Sequence, residues 1–130
     1  MHRVVFTFLI LLGLSACTEK PSRQEAELEL QLLMNEIDSM VAQTACTDAD
    51  QWRITPIGSK PCGGPIAYKA YSSQMDTVAF LIEVKRFTDK QQAYNKEWDV
   101  ASDCALVQMP VDVRCVDGKP EFVYSFALEY

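Results

Sequence analysis

The chain has 130 residues, 48% of them hydrophobic, which is enough for one small domain with a modest core. Its formal net charge is −6, and no cluster of Lys or Arg offsets it. That balance argues against nucleic acid and anionic lipid surfaces as partners.

The first element is an export signal. Arg3 supplies a positive start, and residues 4–12 are almost wholly apolar. The run is far shorter than the ~20 residues that span a bilayer. Small residues follow it, so residues 1–16 read as a signal peptide rather than a membrane helix. Leu14-Ser15-Ala16-Cys17 resembles the lipobox of bacterial lipoproteins at all four positions. The resemblance implies a diacylglyceryl group on the Cys17 thiol, cleavage between Ala16 and Cys17, and often acylation of the new amino group. Multiple acyl chains suffice for stable anchoring, since each buried CH2 adds ~0.8 kcal/mol. The implied partner is therefore a membrane, held through lipid on Cys17. Thr18, not Asp, occupies the second mature position, which by the same resemblance implies the outer membrane of a two-membrane cell envelope.

Residues 17–22 form the lipidated N-terminus and a short tether, and a single domain is expected over residues 23–130. Ser22 with Glu25 three residues later is a capping-box pattern. Leu30, Leu33, Ile37, Met40 and Val41 recur at helical spacing, so the pattern predicts an amphipathic helix from about Arg23 to Gln43. Residues 52–57 alternate weakly and suggest an edge strand, because Pro56 argues against a central one. Residues 58–65 are dense in turn formers, and residues 66–72 suggest a short strand or turn.

Residues 78–87 fit both periods. Val78, Phe80, Ile82 and Val84 alternate, while Phe80, Leu81, Val84 and Phe87 recur as on a helix. Asp76 as a cap and the absence of a breaker favour helix. Thr88 with Gln91 offers another capping box, which predicts a second helix and a bent pair meeting at Phe87-Thr88. Beyond Asp99 the texture is β-rich. Residues 105–109, 111–116 and 122–128 are expected strands of one small antiparallel sheet. Asp117-Gly118, followed by Lys119-Pro120, suggests a hairpin slightly longer than the tightest type.

Setting Cys17 aside leaves Cys46, Cys62, Cys104 and Cys115. An even count in an exported chain predicts two disulfides. Short local loops favour Cys46–Cys62 and Cys104–Cys115, each restraining the unfolded chain by about 3 kcal/mol. No Cys-x2-Cys pair supports zinc. The only histidine is His2, which leaves with the signal, so histidine-dependent catalysis is excluded in a processed chain. Asp48 and Asp50 lack the further ligands of a calcium loop. Asp99 and Asp103 are a carboxylate pair that would need a cleft to act on a sugar. Trp52, Tyr68, Tyr71, Tyr94 and Trp98 read mainly as core, with a ligand platform as the alternative.

Cys62-Gly63-Gly64-Pro65 is the most distinctive motif after residue 17. Its functional reading is a braced loop presented to a partner; its structural reading is glycines that let the backbone pass close to a disulfide. Cys46, Trp52, Gly58, Lys60, Cys62 to Pro65, Tyr68, Asn95, Ser102 to Cys104 and Cys115 together resemble a set of small exported bacterial proteins. That resemblance implies a disulfide-braced domain and no particular activity.

The resulting expectation is an α+β fold, with an N-terminal amphipathic helix and a helical pair packed on a small antiparallel sheet. The expected function is that of a non-enzymatic binding or inhibitory module, lipid-anchored in the envelope, acting on an envelope protein or peptide. Its candidate binding loop is Lys60, Pro61, Gly63, Gly64 and Pro65. The alternative is a structural lipoprotein that docks on a membrane protein through its first helix. A carboxylate-dependent wall hydrolase is a more distant reading. No cofactor, metal or nucleic acid is expected.

Overall fold

The computed structural model describes residues 20–125. The expected signal, Cys17 and the end of the last expected strand lie outside these residues. The fold is α+β, built from two long helices and two antiparallel hairpins.

Helix α1 spans Arg23–Ala42 and begins at the expected cap. The Ser22 backbone N–H donates to Glu25 Oε2 at 2.7 Å, and the Glu25 N–H donates to Ser22 Oγ at 3.3 Å. Its Leu30–Val41 face turns inward, with Leu33 and Ile37 buried. After a 3-10 turn at Ala49–Gln51, strand β1 (Trp52–Ile57) pairs with β2 (Ala67–Ser72), Trp52 opposite Ser72 and Ile57 opposite Ala67. Pro56 is accommodated because each sheet has only two strands, so every strand has an open edge.

Helix α2 runs unbroken over Thr77–Glu97, capped by Asp76, whose carboxylate accepts from the Ala79 N–H at 2.9 Å. The expected bend at Phe87-Thr88 is absent. Phe80, Val84 and Phe87 lie on one buried stripe, and Thr88 continues the helix. Its hydroxyl donates to the Val84 carbonyl one turn back at 2.9 Å, so it caps nothing. A capping box and a mid-helix Thr-x-x-Gln share one local pattern, and the continuous apolar stripe decides between them.

Strands β3 (Asp112–Val116) and β4 (Lys119–Val123) form the second hairpin. Its turn is the two-residue Asp117-Gly118, with φ of 50° and 74°. Two left-handed residues in a two-residue loop match the natural strand twist, so the hairpin is tighter than expected. The expected three-stranded sheet is instead the β3–β4 hairpin, because residues 105–109 join no ladder, and β1 and β2 form a sheet of their own. They run as loop, with Leu106 99% exposed and Met109 and Val111 also exposed.

One core cluster joins Leu33 and Ile37 of α1, Ile57 of β1 and Phe80, Val84 and Phe87 of α2. Tyr71 stacks on Phe80 with ring centroids 4.9 Å apart. Fully burying a side chain of this size contributes ~1.5–3 kcal/mol. A second cluster joins Cys46, Trp52, Ala70 and Val113 beneath the two hairpins.

The disulfides differ from the expected local pairs. Cys46 bonds Cys115 and Cys62 bonds Cys104, with Cα separations of 5.2 and 5.7 Å, inside the usual range. Strand β1 explains the difference. Cys46 lies before it and Cys62 beyond it, with an extended strand of six residues, roughly 20 Å long, between them. Cys46 instead meets the second hairpin, where its N–H also donates to the Gly118 carbonyl at 2.8 Å.

Candidate functional site

The loop between β1 and β2 is fastened to one face of α2. The Gly58 N–H donates to Thr88 Oγ1 at 2.9 Å, and the Ser59 N–H donates to Gln91 Oε1 at 2.8 Å. Asn95 Nδ2 donates to the Ser59 carbonyl at 2.7 Å. Positions 88, 91 and 95 are neighbours on a helix, one turn apart, so α2 forms a three-rung clamp. Gly58 has to be glycine here. Its φ is 75°, and a Cβ would collide with the Gln91 amide oxygen and the Ile66 side chain.

Gly63 and Gly64 have a different role. Their φ values are 93° and 81°, but a Cβ on either would meet nothing within 4 Å. The close passage expected at Gly63-Gly64 is therefore absent there and occurs at Gly58 instead, and the Gly63-Gly64 pair serves the turn itself. Lys60 closes that turn by donating its N–H to the Gly64 carbonyl and accepting from the Gly63 N–H, both at 2.9 Å. Pro61, Cys62, Gly63 and Gly64 are exposed, and Pro65 is half-buried.

Lys60 is not presented to solvent. Its side chain is only 17% exposed, and its ammonium donates to the Ala105 carbonyl, with Asp103 Oδ1 at 3.7 Å. This contact and the Cys62–Cys104 bond fasten the loop to the segment after α2. That segment includes two left-handed residues, Asp99 with φ 46° and Cys104 with φ 56°. Asp tolerates this region better than Cys, and the disulfide holds Cys104 in it. Asp103 also accepts from the Ala105 N–H at 3.1 Å.

Between the fastened loop and the C-terminal end of α2 lies a cleft of about 430 Å³. Its walls include Lys60, Pro61 and Gly63 from the loop and Gln92, Asn95, Lys96, Asp99 and Val100 from α2 and its exit. Three of the five expected loop residues therefore line one cavity. Lys96 and Asp99 have no ion-pair partner among the described residues, and they do not pair with each other. The cleft thus offers one free cation and one free anion beside side-chain amides. Asp99 belongs to the cleft, whereas Asp103 is committed to Lys60 and to its own turn.

The other candidates are dispersed. Asp48 accepts from the Asp50 N–H and from Gln51 Nε2, both at 3.1 Å, and so caps the 3-10 turn. No group of three or more His, Cys, Asp or Glu is placed to hold a metal among the described residues. Trp52 is buried under the hairpins and Tyr71 lies on the first core cluster, so the aromatics form no common platform.

Tyr94 joins the two helices. Its hydroxyl donates to Glu27 and accepts from Arg23 Nε at 3.0 Å. The hydrogen bond from Tyr94, then that from Arg23, holds the Glu27 carboxyl below its usual range. The bond to Glu27, then partial desolvation, raises the Tyr94 hydroxyl. Lys20–Glu97 at 2.8 Å and Lys90–Glu29 at 2.7 Å extend this clasp. Sequence reasoning missed both the clasp and the cleft. Thr88, Gln91 and Asn95 at helical spacing were the available signal for the loop clamp.

No protein-family model, curated protein or solved structure matches the chain.

Proposed function

We propose that this chain is a lipid-anchored cell-envelope protein whose domain is a non-enzymatic binding module. The anchor rests on Leu14-Ser15-Ala16-Cys17. The pairing of the four described cysteines supports it, since Cys17 is then not needed by the fold. The observation that carries the binding reading is the clamped cleft. A loop held by three hydrogen bonds and a disulfide is pre-organised, which lowers the ordering cost of ligand capture. An inhibitor-like loop is less well supported, because Lys60 faces inward.

A second reading has its own observation. Leu28 and Leu32 are exposed on the outer side of α1, which favours docking on a membrane protein. The Leu30–Val41 face does not serve this purpose, because it packs in the core. Two experiments separate these readings. Cys17→Ser moves the protein from the membrane fraction to the soluble fraction; retention of the variant in membranes refutes the anchor. A photocrosslinker at Gln92 captures the ligand in native envelopes, whereas one at Leu32 does not. Capture at Leu32 alone replaces the cleft reading with docking.

A further inference from the structure

We propose that the cleft takes a zwitterionic phospholipid headgroup of the phosphoethanolamine class. The proposal rests on the lipid anchor at Cys17 proposed above. Chain length then sets the orientation. Lys20 Nζ lies 2.8 Å from Glu97 Oε1, so the start of the described chain sits beside the last turn of α2. The three residues from Cys17 to Lys20 span at most ~11 Å. An acylated Cys17 therefore holds this end of α2 at the bilayer surface. The cleft lies at the same end, with Asn95, Lys96, Asp99 and Val100 in its wall. The opposite end of the 21-residue helix stands about 30 Å away.

Charge selects the headgroup. At this end Lys20, Arg23 and Lys90 are paired with Glu97, Glu27 and Glu29. Those pairs cancel, and the chain as a whole is at −6, so an anionic surface gains no net attraction. Lys96 and Asp99 remain, one of each sign, in one cleft. The Asp99 carboxylate and the negative end of the α2 dipole suit an ammonium group. The Lys96 ammonium and the Gln92 amide suit a phosphate. Tyr94 and Trp98, half-buried at the same end, are residue types that favour the headgroup level. The cleft volume is in the lower range of small-molecule sites. A zwitterionic peptide carries similar charges, but a cleft at the anchored end of the domain meets lipid first.

The test titrates the isotope-labelled, lipidated full chain in detergent micelles with glycerophosphoethanolamine. Saturable amide shifts are expected at residues 59–63 and 92–100. Lys96→Gln and Asp99→Asn each weaken binding roughly tenfold, the scale of one charge-assisted hydrogen bond. Asn keeps the left-handed backbone that residue 99 requires, and the amide spectrum verifies the fold of both variants. Glycerol 3-phosphate, which lacks the ammonium, and dialanine, whose carboxylate replaces the phosphate, each bind at least about tenfold more weakly than glycerophosphoethanolamine on the same scale. The proposal is overturned by absence of saturable shifts, by equal binding of either control, or by folded variants that bind like the parent. Intact mass reads the acyl group separately, so failure of the anchor and failure of the cleft are distinct results.

Discussion

Replacing Cys62 and Cys104 together by serine removes the bond that fastens the cleft loop. The two residues are 42 apart, and the loop-entropy relation gives about 4 kcal/mol for a closure of that length. Both cysteines are exposed, so the change adds little burial cost and the entropy of the unfolded chain dominates. Urea unfolding of the double variant is expected to show a lower midpoint and a larger m value, because the uncrosslinked chain exposes more surface. A net stability of ~5–15 kcal/mol accommodates a loss of this size. Removing Cys46 and Cys115 costs more, because their separation is 69 and Cys46 is buried against Trp52. Non-reducing peptide mapping checks the premise directly. A peptide joining Cys46 to Cys62, or a loss below about 1 kcal/mol for the Cys62/Cys104 variant, refutes the reasoning.

Thr88→Val leaves the buried Gly58 N–H without its acceptor, and denaturant unfolding is expected to record a loss of about 1–3 kcal/mol. Faster hydrogen exchange at Gly58 and Ser59 accompanies it; unchanged exchange contradicts the clamp. Gly58→Ala destabilises more than Gly63→Ala. Both pay the left-handed penalty of ~1–2 kcal/mol, and only Gly58 adds a steric collision; equal losses in thermal unfolding refute the distinction. The helix clasp makes stability depend on pH in two windows. Glu27 is depressed, so its contribution is present above the ordinary carboxylate range and is lost as pH falls through its lowered value. Tyr94 is raised, so its contribution is present below the ordinary phenol range and is lost as pH rises through its raised value. Glu27→Gln flattens both limbs of the stability–pH curve, and an unchanged curve shows the clasp to be energetically silent.

Legibility in the sequence followed the range of the interaction. Helix α1 was readable because Ser22 and Glu25 are a local signal and its apolar face is regular. The β3–β4 hairpin was readable from Asp117-Gly118, although its tightness depends on φ values at both positions. The disulfides are not legible locally: loop length favours neighbouring cysteines, and the extended β1 between Cys46 and Cys62 carries each to a more distant partner. Thr88 and Gln91 match a capping pattern locally, and their actual backbone partners, Gly58 and Ser59, lie about 30 residues away. Of the expected loop residues, Lys60, Pro61 and Gly63 line the cleft and Gly64 and Pro65 do not. Its other wall, Gln92 to Val100, required the folded position of α2.

The most direct test places the lipidated chain in nanodiscs doped with a headgroup-attached gadolinium chelate and reads relaxation of backbone amides. The strongest broadening is expected at residues 20–23, 59–64 and 92–100, and the weakest at the Ser73–Asp76 turn before α2. Strongest broadening at that turn, or uniform broadening along α2, would contradict a cleft held against the bilayer.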